Sequence, residues 1–405
     1  MARCLLALLL GLSLAPPGAA AQSPPSESAV RGFLKNHWTL PVPLQGSPPA
    51  RWNPLEASLL PESCGTCHPA QLDDWKTSLH AKSLGPGVKG QLVEMLQSDP
   101  QSAQDCLRCH APLAEQQEQL VRKGKLRGNA AFNQELQTKG LSCAGCHVRR
   151  HQRFGPPKRD GSLRSEIPRE KLPHNGVTRT PAFLRAEFCK ECHQFPEGGF
   201  ALNGKLLENT YNEWKTSPFG RQGIQCQECH MPDRRHLWRG IHDPEMVRSG
   251  LTIGVEGDKA RYRQGEVVRI RLTVTNSRVG HAFPTYVTPR VVVSGELIER
   301  SGLVVPGSRQ ETIIGREVTL DLSREEFDSR LHPGQRLVFD YRRPLPGPGL
   351  RLRLAVTVSP DHFYIGFFES LLASGAGTGA VQIREALARA KASAFDVYAR
   401  EIPLD

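Results

Sequence analysis

The sequence has no hydrophobic run long enough to form a transmembrane helix, which needs about 20 consecutive apolar residues. The longest such run extends only from Leu5 to Leu14. It follows a basic start that contains Arg3, and it precedes a stretch of small residues that ends at Ala21. This order is typical of a secretory signal peptide. We therefore expect residues 1–21 to be a cleaved signal peptide, and the mature chain to be exported without a membrane span.

Cysteine is nearly absent outside one short motif, Cys-x-x-Cys-His, which uses ten of the eleven cysteines. The eleventh, Cys4, lies within the predicted signal peptide. The motif occurs five times, at Cys64–His68, Cys106–His110, Cys143–His147, Cys189–His193 and Cys226–His230. It is typical of c-type haem attachment. The two thiols can bond to the vinyl groups of a porphyrin, and the histidine that follows can then reach the iron as its proximal ligand.

Two simpler uses of cysteine fit the motif less well. Structural zinc sites use Cys-x-x-Cys pairs, but they give no reason for a histidine directly after every pair. Disulfides suit an exported protein, but they also leave the five histidines unexplained. We therefore predict five covalent haem c groups. Their thioether cysteines are Cys64, Cys67, Cys106, Cys109, Cys143, Cys146, Cys189, Cys192, Cys226 and Cys229, and their proximal ligands are His68, His110, His147, His193 and His230.

The formal net charge of +11 would by itself be compatible with a nucleic-acid partner. Five haems, however, bring two propionates each, about −10 in all, partly offset by the ferric irons. The basic excess is therefore more simply a counter-charge to the cofactors, and we predict no nucleic-acid partner. Because covalent haem attachment takes place outside the bacterial cytoplasm, we expect the protein in the periplasm or at the cell surface.

Composition divides the chain after the signal peptide into an arm, a motif-rich part and a C-terminal part. Residues 22–60 are rich in Pro, Ser and Gln, and we predict an extended N-terminal arm. Residues 61–246 hold the motifs at irregular intervals of 42, 37, 46 and 37 residues. Roughly 37 residues per haem are too few for a conventional core. We predict a mainly helical and irregular pentahaem domain with the porphyrins as its core, and short helices at Gln91–Gln97 and Ala111–Arg122.

The pattern changes near Met246, so we predict an α+β multidomain protein. Apolar and polar residues alternate from Val268 to Thr275 and again from Leu350 to Val358, and further strands are predicted at 290–298, 317–322 and 336–341. Short alternating strands separated by turns indicate an antiparallel β-sandwich, which we assign to residues 247–362. Residues 363–405 form a predicted C-terminal helical segment. Its amphipathic helix, Ala380–Arg400, is expected to dock back on the body.

One short sequence occurs twice in the motif-rich part. Asp74-Trp75-Lys76-Thr77-Ser78 follows the first motif, and Glu213-Trp214-Lys215-Thr216-Ser217 precedes the fifth. The two tryptophans could stack on porphyrins or pack in an ordinary core.

The second axial ligand of each iron decides between an electron carrier and an enzyme. Nine histidines lie outside the motifs, enough to ligate all five irons. We predict that the distal ligands are His80, His174, His236, His242 and His281, with His37 and His362 in reserve. His151 lies one helical turn after a proximal histidine, and His332 lies in a Pro-Gly turn, so both are less suitable.

Four segments of the chain resemble the multihaem c-type cytochromes of the cytochrome c-552/4 domain family. They are Cys67–Ala81 with a WxxSxHA pattern, Gly140–His147, Tyr211–Pro232 with CQxCHMP, and Gly280–Thr285 with GHAFPT. The resemblance covers roughly Glu62 to Thr285. It implies an exported protein that stacks haems closely and relays electrons, with His80 as a distal ligand. In the second copy of the WxxS pattern the equivalent position is Phe219, so no ligand is implied there.

These observations favour a pentahaem electron carrier, with mostly bis-histidine haems, over an enzyme. Its expected partners are redox proteins, either membrane quinol-linked complexes or periplasmic cytochromes. The alternative is a multihaem oxidoreductase with one open haem that acts on a small nitrogen or sulfur compound. No altered motif such as Cys-x-x-Cys-Lys supports that alternative. A third hypothesis treats the β-sandwich as a docking module for a partner or membrane complex.

Overall fold

Short helices and very short strands, joined by loops, make up the chain before residue 251. The computed structural model describes residues 26–122 and 124–405, so the predicted signal peptide and Cys4 lie outside the described residues. The helices are α1 (Glu27–His37), α2 (Pro54–Ala57), α3 (Pro61–Gly65), α4 (Pro69–Thr77), α5 (Pro86–Ser98), α6 (Pro100–His110), α7 (Gln134–Gln137), α8 (Cys143–His147), α9 (Glu187–His193), α10 (Thr210–Thr216), α11 (Pro218–Arg221), α12 (Cys226–His230) and α13 (Pro244–Gly250). The strands are β1 (Gln119–Arg122), β2 (Lys125–Gly128), β3 (Val148–Arg149), β4 (Gln152–Gly155), β5 (Val177–Arg179), β6 (Ala201–Leu202) and β7 (Lys205–Leu206).

Two antiparallel sheets follow and form the β-sandwich. Their strands are β8 (Leu251–Gly257), β9 (Val267–Asn276), β10 (Arg290–Ile298), β11 (Gln310–Val318), β12 (Glu325–Asp328), β13 (Arg336–Pro344), β14 (Arg351–Ser359) and β15 (Phe395–Pro403). One sheet has the order β12-β11-β10-β14-β15 and the other β13-β9-β8. Two helices, α14 (His362–Ala373) and α15 (Ala380–Ala392), separate the last two strands. The prediction of helices followed by antiparallel sheets is therefore confirmed.

The sandwich has one continuous hydrophobic core because alternate residues of its strands point inward. In β9 the buried positions include Val268, Ile270 and Leu272, and Leu272 lies opposite Phe339 of β13. Before residue 251 the buried apolar residues form only small separate clusters. Among the described helices, none combines the length and the apolar character that a membrane crossing requires.

The N-terminal arm is not extended throughout, so that prediction is wrong for residues 27–37. The hydroxyl of Ser26 accepts a hydrogen bond from the amide of Ala29 at 3.2 Å and caps α1. Val30 and Leu34, one helical turn apart, are buried in a cluster with Ala182. The spacing of these two apolar residues, one helical turn, was the sequence signal that could have predicted this helix.

Two further predicted elements also differ, one between the second and third motifs and one within the sandwich. The helix expected at Ala111–Arg122 is instead a single 3₁₀ turn at Ala114–Gln116 followed by β1, because Pro112 cannot continue a helix from α6. The strand expected at 317–322 is β11, which ends at Val318. The helix expected at Gln91–Gln97 is confirmed as part of α5.

The C-terminal segment is not helical to its end. The helix predicted at Ala380–Arg400 stops at Ala392, and β15 pairs with β14 along the edge of the five-stranded sheet. The sandwich therefore draws on residues beyond 362. As expected, the helical part docks back on the body, because α15 packs against α5. A Cβ at Gly379 would meet the carbonyl oxygen of Gly90, so this approach requires glycine.

Candidate haem-binding cluster

The five motifs lie at short helices. Helices α6, α8, α9 and α12 each end at the motif histidine, and α3 carries Cys64 of the first motif. All ten motif cysteines are free thiols, as thioether formation requires. Within residues 26–122 and 124–405, no group of three or more His, Cys, Asp and Glu side chains is arranged to hold a metal ion.

The motifs form one cluster with the fourth at its centre. Three pairs of thiols from different motifs lie close together, namely Cys64 with Cys143, Cys109 with Cys192, and Cys189 with Cys226. The first motif therefore adjoins the third, the second adjoins the fourth, and the fourth adjoins the fifth. The third motif also adjoins the fourth, because Cys146 lies near Cys189 and Cys192. Burial, together with the nearby His230, His281 and His110, lowers the pKa of His193 to about 4.

Four motif histidines direct Nδ1 to an oxygen atom. The contacts join His110 to the carbonyl of Ser83 (2.5 Å), His147 to that of Phe154 (2.8 Å), His230 to that of Arg239 (2.6 Å) and His193 to the hydroxyl of Tyr286 (2.8 Å). Because a carbonyl oxygen only accepts, Nδ1 carries the proton in the first three, and the lone pair of Nε2 is available to a metal. An outer hydrogen bond of this kind orients an axial histidine.

Three of the five predicted distal histidines face a motif histidine. The ring centres of His80 and His193 are 6.2 Å apart, those of His147 and His236 also 6.2 Å, and those of His230 and His281 6.3 Å. An imidazole nitrogen lies about 2 Å from the metal that it binds, so two imidazoles on opposite sides of one metal have ring centres about 6 Å apart. The residues present therefore fit a six-coordinate iron at three sites.

These rings have outer hydrogen bonds and burial of the kind that metal-ligating histidines have. Nδ1 of His236 contacts the carbonyl of Arg234 at 3.0 Å, and Nδ1 of His281 contacts that of Ala282 at 2.9 Å. Burial lowers the pKa of His80 to about 3. A histidine binds a metal in its neutral form, so a low pKa favours the ligating state.

The other predicted distal ligands are not placed in such pairs. His174 lies near the first motif; its pKa is lowered by burial first, and also by the charges of Arg153 and His68. Nε2 of His242 contacts a carboxylate oxygen of Asp361 at 3.0 Å, so the structure does not bring it to a motif histidine. Among the described residues, no spare histidine ring faces His110 at the spacing of the three pairs.

The reserve histidines also have other contacts. His37 is buried beside the third motif, with Nε2 against the carbonyl of Cys146 at 2.8 Å. Nε2 of His151 contacts the carbonyl of Gly46 at 2.9 Å. Burial lowers the pKa of His362, which begins α14.

Sequence reasoning missed the residues that support these ligands. Tyr286 lies five residues after His281, and nothing in its own sequence context identifies a contact with His193. Asp74 and Glu213 carried a signal, because they begin the two copies of the repeated five-residue sequence.

Part of the chain matches known proteins in sequence. The family model described as Cytochrome c554 and c-prime matches residues 63–148. Cytochrome c-554 of Nitrosomonas europaea is 28% identical over 148 residues, which cover 34% of this chain and 57% of that protein. The chain therefore spans little more than half the length of this relative.

A solved structure shares the fold over most of the chain. The penta-heme cytochrome c552 of Thermochromatium tepidum matches with a TM-score of 0.60 and 17% identity, over 87% of this chain and 100% of that chain. The attachment motifs and these matches define a c-type cytochrome with several covalently bound haems. The family match at residues 63–148 and the sequence relative support the multihaem c-type cytochrome family that the sequence predicts.

Proposed function

We propose that the protein is an exported electron carrier with five covalent haem c groups, most of them ligated by two histidines. The observation that supports this proposal best is the set of three facing imidazole pairs, 6.2 to 6.3 Å between ring centres. The proposed pairs are His193 with His80, His147 with His236, and His230 with His281. His174 remains the proposed partner of His68, as predicted from the sequence.

Electron transfer without a change of ligands follows from this arrangement. Haem c, when bound, supplies a one-electron iron couple. The two imidazoles of each pair hold the same position in both oxidation states, so little rearrangement accompanies transfer. The thiol contacts connect the first motif to the third, and the second and fifth to the fourth. Electrons would therefore pass along a connected cluster with the fourth motif as its junction.

Spin state tests the proposed pairing. Replacing His80, His236 or His281 with alanine should convert one haem in five to high spin in the paramagnetic-resonance spectrum. The haem content of the purified chain should stay unchanged, because the thioether cysteines are intact. His332→Ala is the matched control, since this histidine is exposed. If all three variants kept only low-spin haems, the pairing would be wrong.

A second candidate function rests on His110, a motif histidine that no spare histidine ring faces among the described residues. We propose as the alternative that the haem at His110 is open and acts on a small nitrogen or sulfur compound. The half-buried Tyr364 lies near Cys106 of the same motif; burial raises the pKa of its hydroxyl, and the nearby Asp361 and Cys106 raise it further. Rapid binding of carbon monoxide or nitrite by one haem in five would favour this enzyme. Failure of both ligands to bind would favour the pure carrier.

We also propose a periplasmic or cell-surface location and redox proteins as partners, either quinol-linked membrane complexes or periplasmic cytochromes. The β-sandwich could take part in docking, but its proposed ligand His281 gives it a second role. Removal of the chain after Met246 tests both roles together. Docking predicts loss of partner binding with most haem spectra intact, and ligation by His281 predicts one additional high-spin haem.

A further inference from the structure

The two copies of the acidic-Trp-Lys-Thr-Ser sequence occupy equivalent places at two different haem sites. The first copy runs along α4 and the second along α10. In each copy the acidic residue and the tryptophan contact different parts of one site. The first copy serves the third motif and the second serves the fifth.

The tryptophans hold the segments that lead into these motifs. Nε1 of Trp75 donates a hydrogen bond to the carbonyl of Leu141 at 2.9 Å, and Nε1 of Trp214 donates to the carbonyl of Ile224 at 2.7 Å. Leu141 and Ile224 each stand two residues before the first cysteine of a motif. Because the indole has a single donor, each tryptophan fixes one carbonyl at the entry to a proximal histidine.

Asp74 holds the loop that carries His236. Its carboxylate accepts a hydrogen bond from the amide of His236 at 2.9 Å and two from the guanidinium of Arg235, at 2.6 and 2.7 Å. The Asp74 side chain is 7% exposed. The loop has positive φ at Arg234 and Trp238, a conformation that such residues keep only where their surroundings impose it. The carboxylate is therefore a main constraint on the position of His236.

Glu213 does the same for the loop that carries His281. Its carboxylate accepts hydrogen bonds from the amide of Ala282 at 3.2 Å, the hydroxyl of Thr285 at 2.8 Å and the guanidinium of Arg330 at 2.9 Å. The side chains of Glu213 and Arg330 are 6% and 4% exposed. Each copy thus joins a buried carboxylate to an arginine and to a backbone amide at, or next to, the distal histidine.

We propose that each acidic-Trp pair positions both axial ligands of a single haem, with Asp74 and Trp75 acting at the third site and Glu213 and Trp214 at the fifth. The inference rests on the pairing under the proposed function, in which His236 faces His147 and His281 faces His230. The carboxylate fixes the distal loop, and the tryptophan fixes the entry to the proximal motif. One short helix therefore sets the distance between the two ligands.

Two alanine variants test the positioning role. Asp74→Ala and Glu213→Ala should each convert one haem in five to high spin, measured by paramagnetic resonance, with haem content unchanged. Asp73→Ala is the matched control, because Asp73 is the exposed neighbour of Asp74 in the same helix. Asp74→Glu should restore most of the low-spin signal, because the second copy uses glutamate at this place. Only low-spin haems in Asp74→Ala, or the same change in Asp73→Ala, would overturn the proposal.

Double variants identify the haem that responds, since effects at one site do not add. Asp74→Ala combined with His236→Ala should still give one high-spin haem, whereas Asp74→Ala combined with His281→Ala should give two. Two high-spin haems in the first combination, or one in the second, would contradict the assignment. If Asp74→Ala fails to accumulate, Asp74→Asn should give a smaller high-spin fraction at the same haem, and no change there would overturn the proposal.

The two levels of inference can fail separately. If His236→Ala leaves every haem low-spin, the axial pairing itself is wrong. If His236→Ala gives a high-spin haem and Asp74→Ala does not, only the positioning role is wrong.

Discussion

The haem-binding part and the β-sandwich are built in opposite ways. The sandwich buries a single cluster of apolar side chains that spans both sheets. The haem-binding part has small clusters, two with five buried apolar residues and one with four. Its centre is instead occupied by histidine rings and cysteine thiols. The sandwich can therefore be stabilised by its own side chains, whereas the haem-binding part depends on the porphyrins to fill its interior.

The contact between the two parts is polar and buried. Arg330 of the sandwich pairs with Glu213, and Arg316, 1% exposed, donates hydrogen bonds to the carbonyls of Leu202, Lys205 and Leu206 in the β6–β7 hairpin. Buried arginines that satisfy carbonyls fix one geometry more strictly than apolar contact does. The sandwich thus acts as a rigid support for the site that contains His281.

The largest expected effect comes from preventing haem attachment. Chain produced without cytochrome c maturation should lose the fold of the haem-binding part, because little apolar surface remains to be buried there. The sandwich should keep its β-type circular dichroism and a cooperative thermal transition. Limited proteolysis should therefore digest the haem-binding part and leave a resistant fragment that begins near residue 250. Equal protection of both parts in the haem-free chain would contradict the contrast between them.

Breaking the buried pair between the two parts should have the next largest effect. Arg330→Ala leaves the carboxylate of Glu213 buried without its arginine, which typically costs about 3–5 kcal/mol. The free energy of unfolding, measured by denaturant titration, should fall by about this amount. Arg309→Ala is the control, because its side chain is 49% exposed and its ion pairs contribute little. A similar small loss in both variants would mean that the interface is less tightly specified than its burial indicates.

Truncation of a side chain in the sandwich core tests whether the sandwich is stabilised independently of the haem-binding part. Leu354→Ala removes a fully buried side chain of β14 and should cost about 2–5 kcal/mol. Below the unfolding transition the haem absorption spectrum should not change, because no porphyrin contributes to this core. Leu303→Ala, at an exposed position, should change stability by less than about 0.5 kcal/mol. An altered haem spectrum in Leu354→Ala would show that the two parts are not independent.

The same contrast determines how much the sequence could predict. Attachment motifs and alternating strands are local patterns, so Cys64–His68 or the strand that contains Val268 can be identified without the rest of the chain. The proposed distal ligands come from distant segments: His80 faces a histidine that lies 113 residues away in the sequence, at His193. Which spare histidine reaches which iron depends on loop paths, which is why His242 was predicted as a ligand but contacts Asp361.

Elements that depend on tertiary partners were also missed. Residues 395–403 continue the apolar pattern of α15 closely enough to indicate a helix, but the free edge of β14 takes them as a strand. The support of His193 by Tyr286 has no local signature, since it joins the haem-binding part to the sandwich. Local chemistry was therefore predictable, and the pairing of distant groups was not.

The smallest expected effect is a change in the reduction potential of one haem. His193 differs from the three other motif histidines that have an Nδ1 partner, because its acceptor is a hydroxyl, that of Tyr286, rather than a carbonyl. The same hydroxyl contacts Glu208, whose pKa is raised to about 7 by burial. Tyr286→Phe removes the acceptor, so His193 donates less electron density and the potential of its haem should rise. A net hydrogen-bond energy of about 1 kcal/mol corresponds to roughly 40 mV for one electron.

Potentiometric titration of the full chain measures this shift as a displacement of one of the five transitions. Tyr341→Phe is the matched control, because its hydroxyl bonds to the carbonyl of Ser308 inside the sandwich. That variant should lower the free energy of unfolding and move no potential. If Tyr286→Phe also moves none, the hydroxyl only fills space beside His193. If it shifts all five, the sandwich affects the whole cluster and the two parts are coupled more closely than their cores suggest.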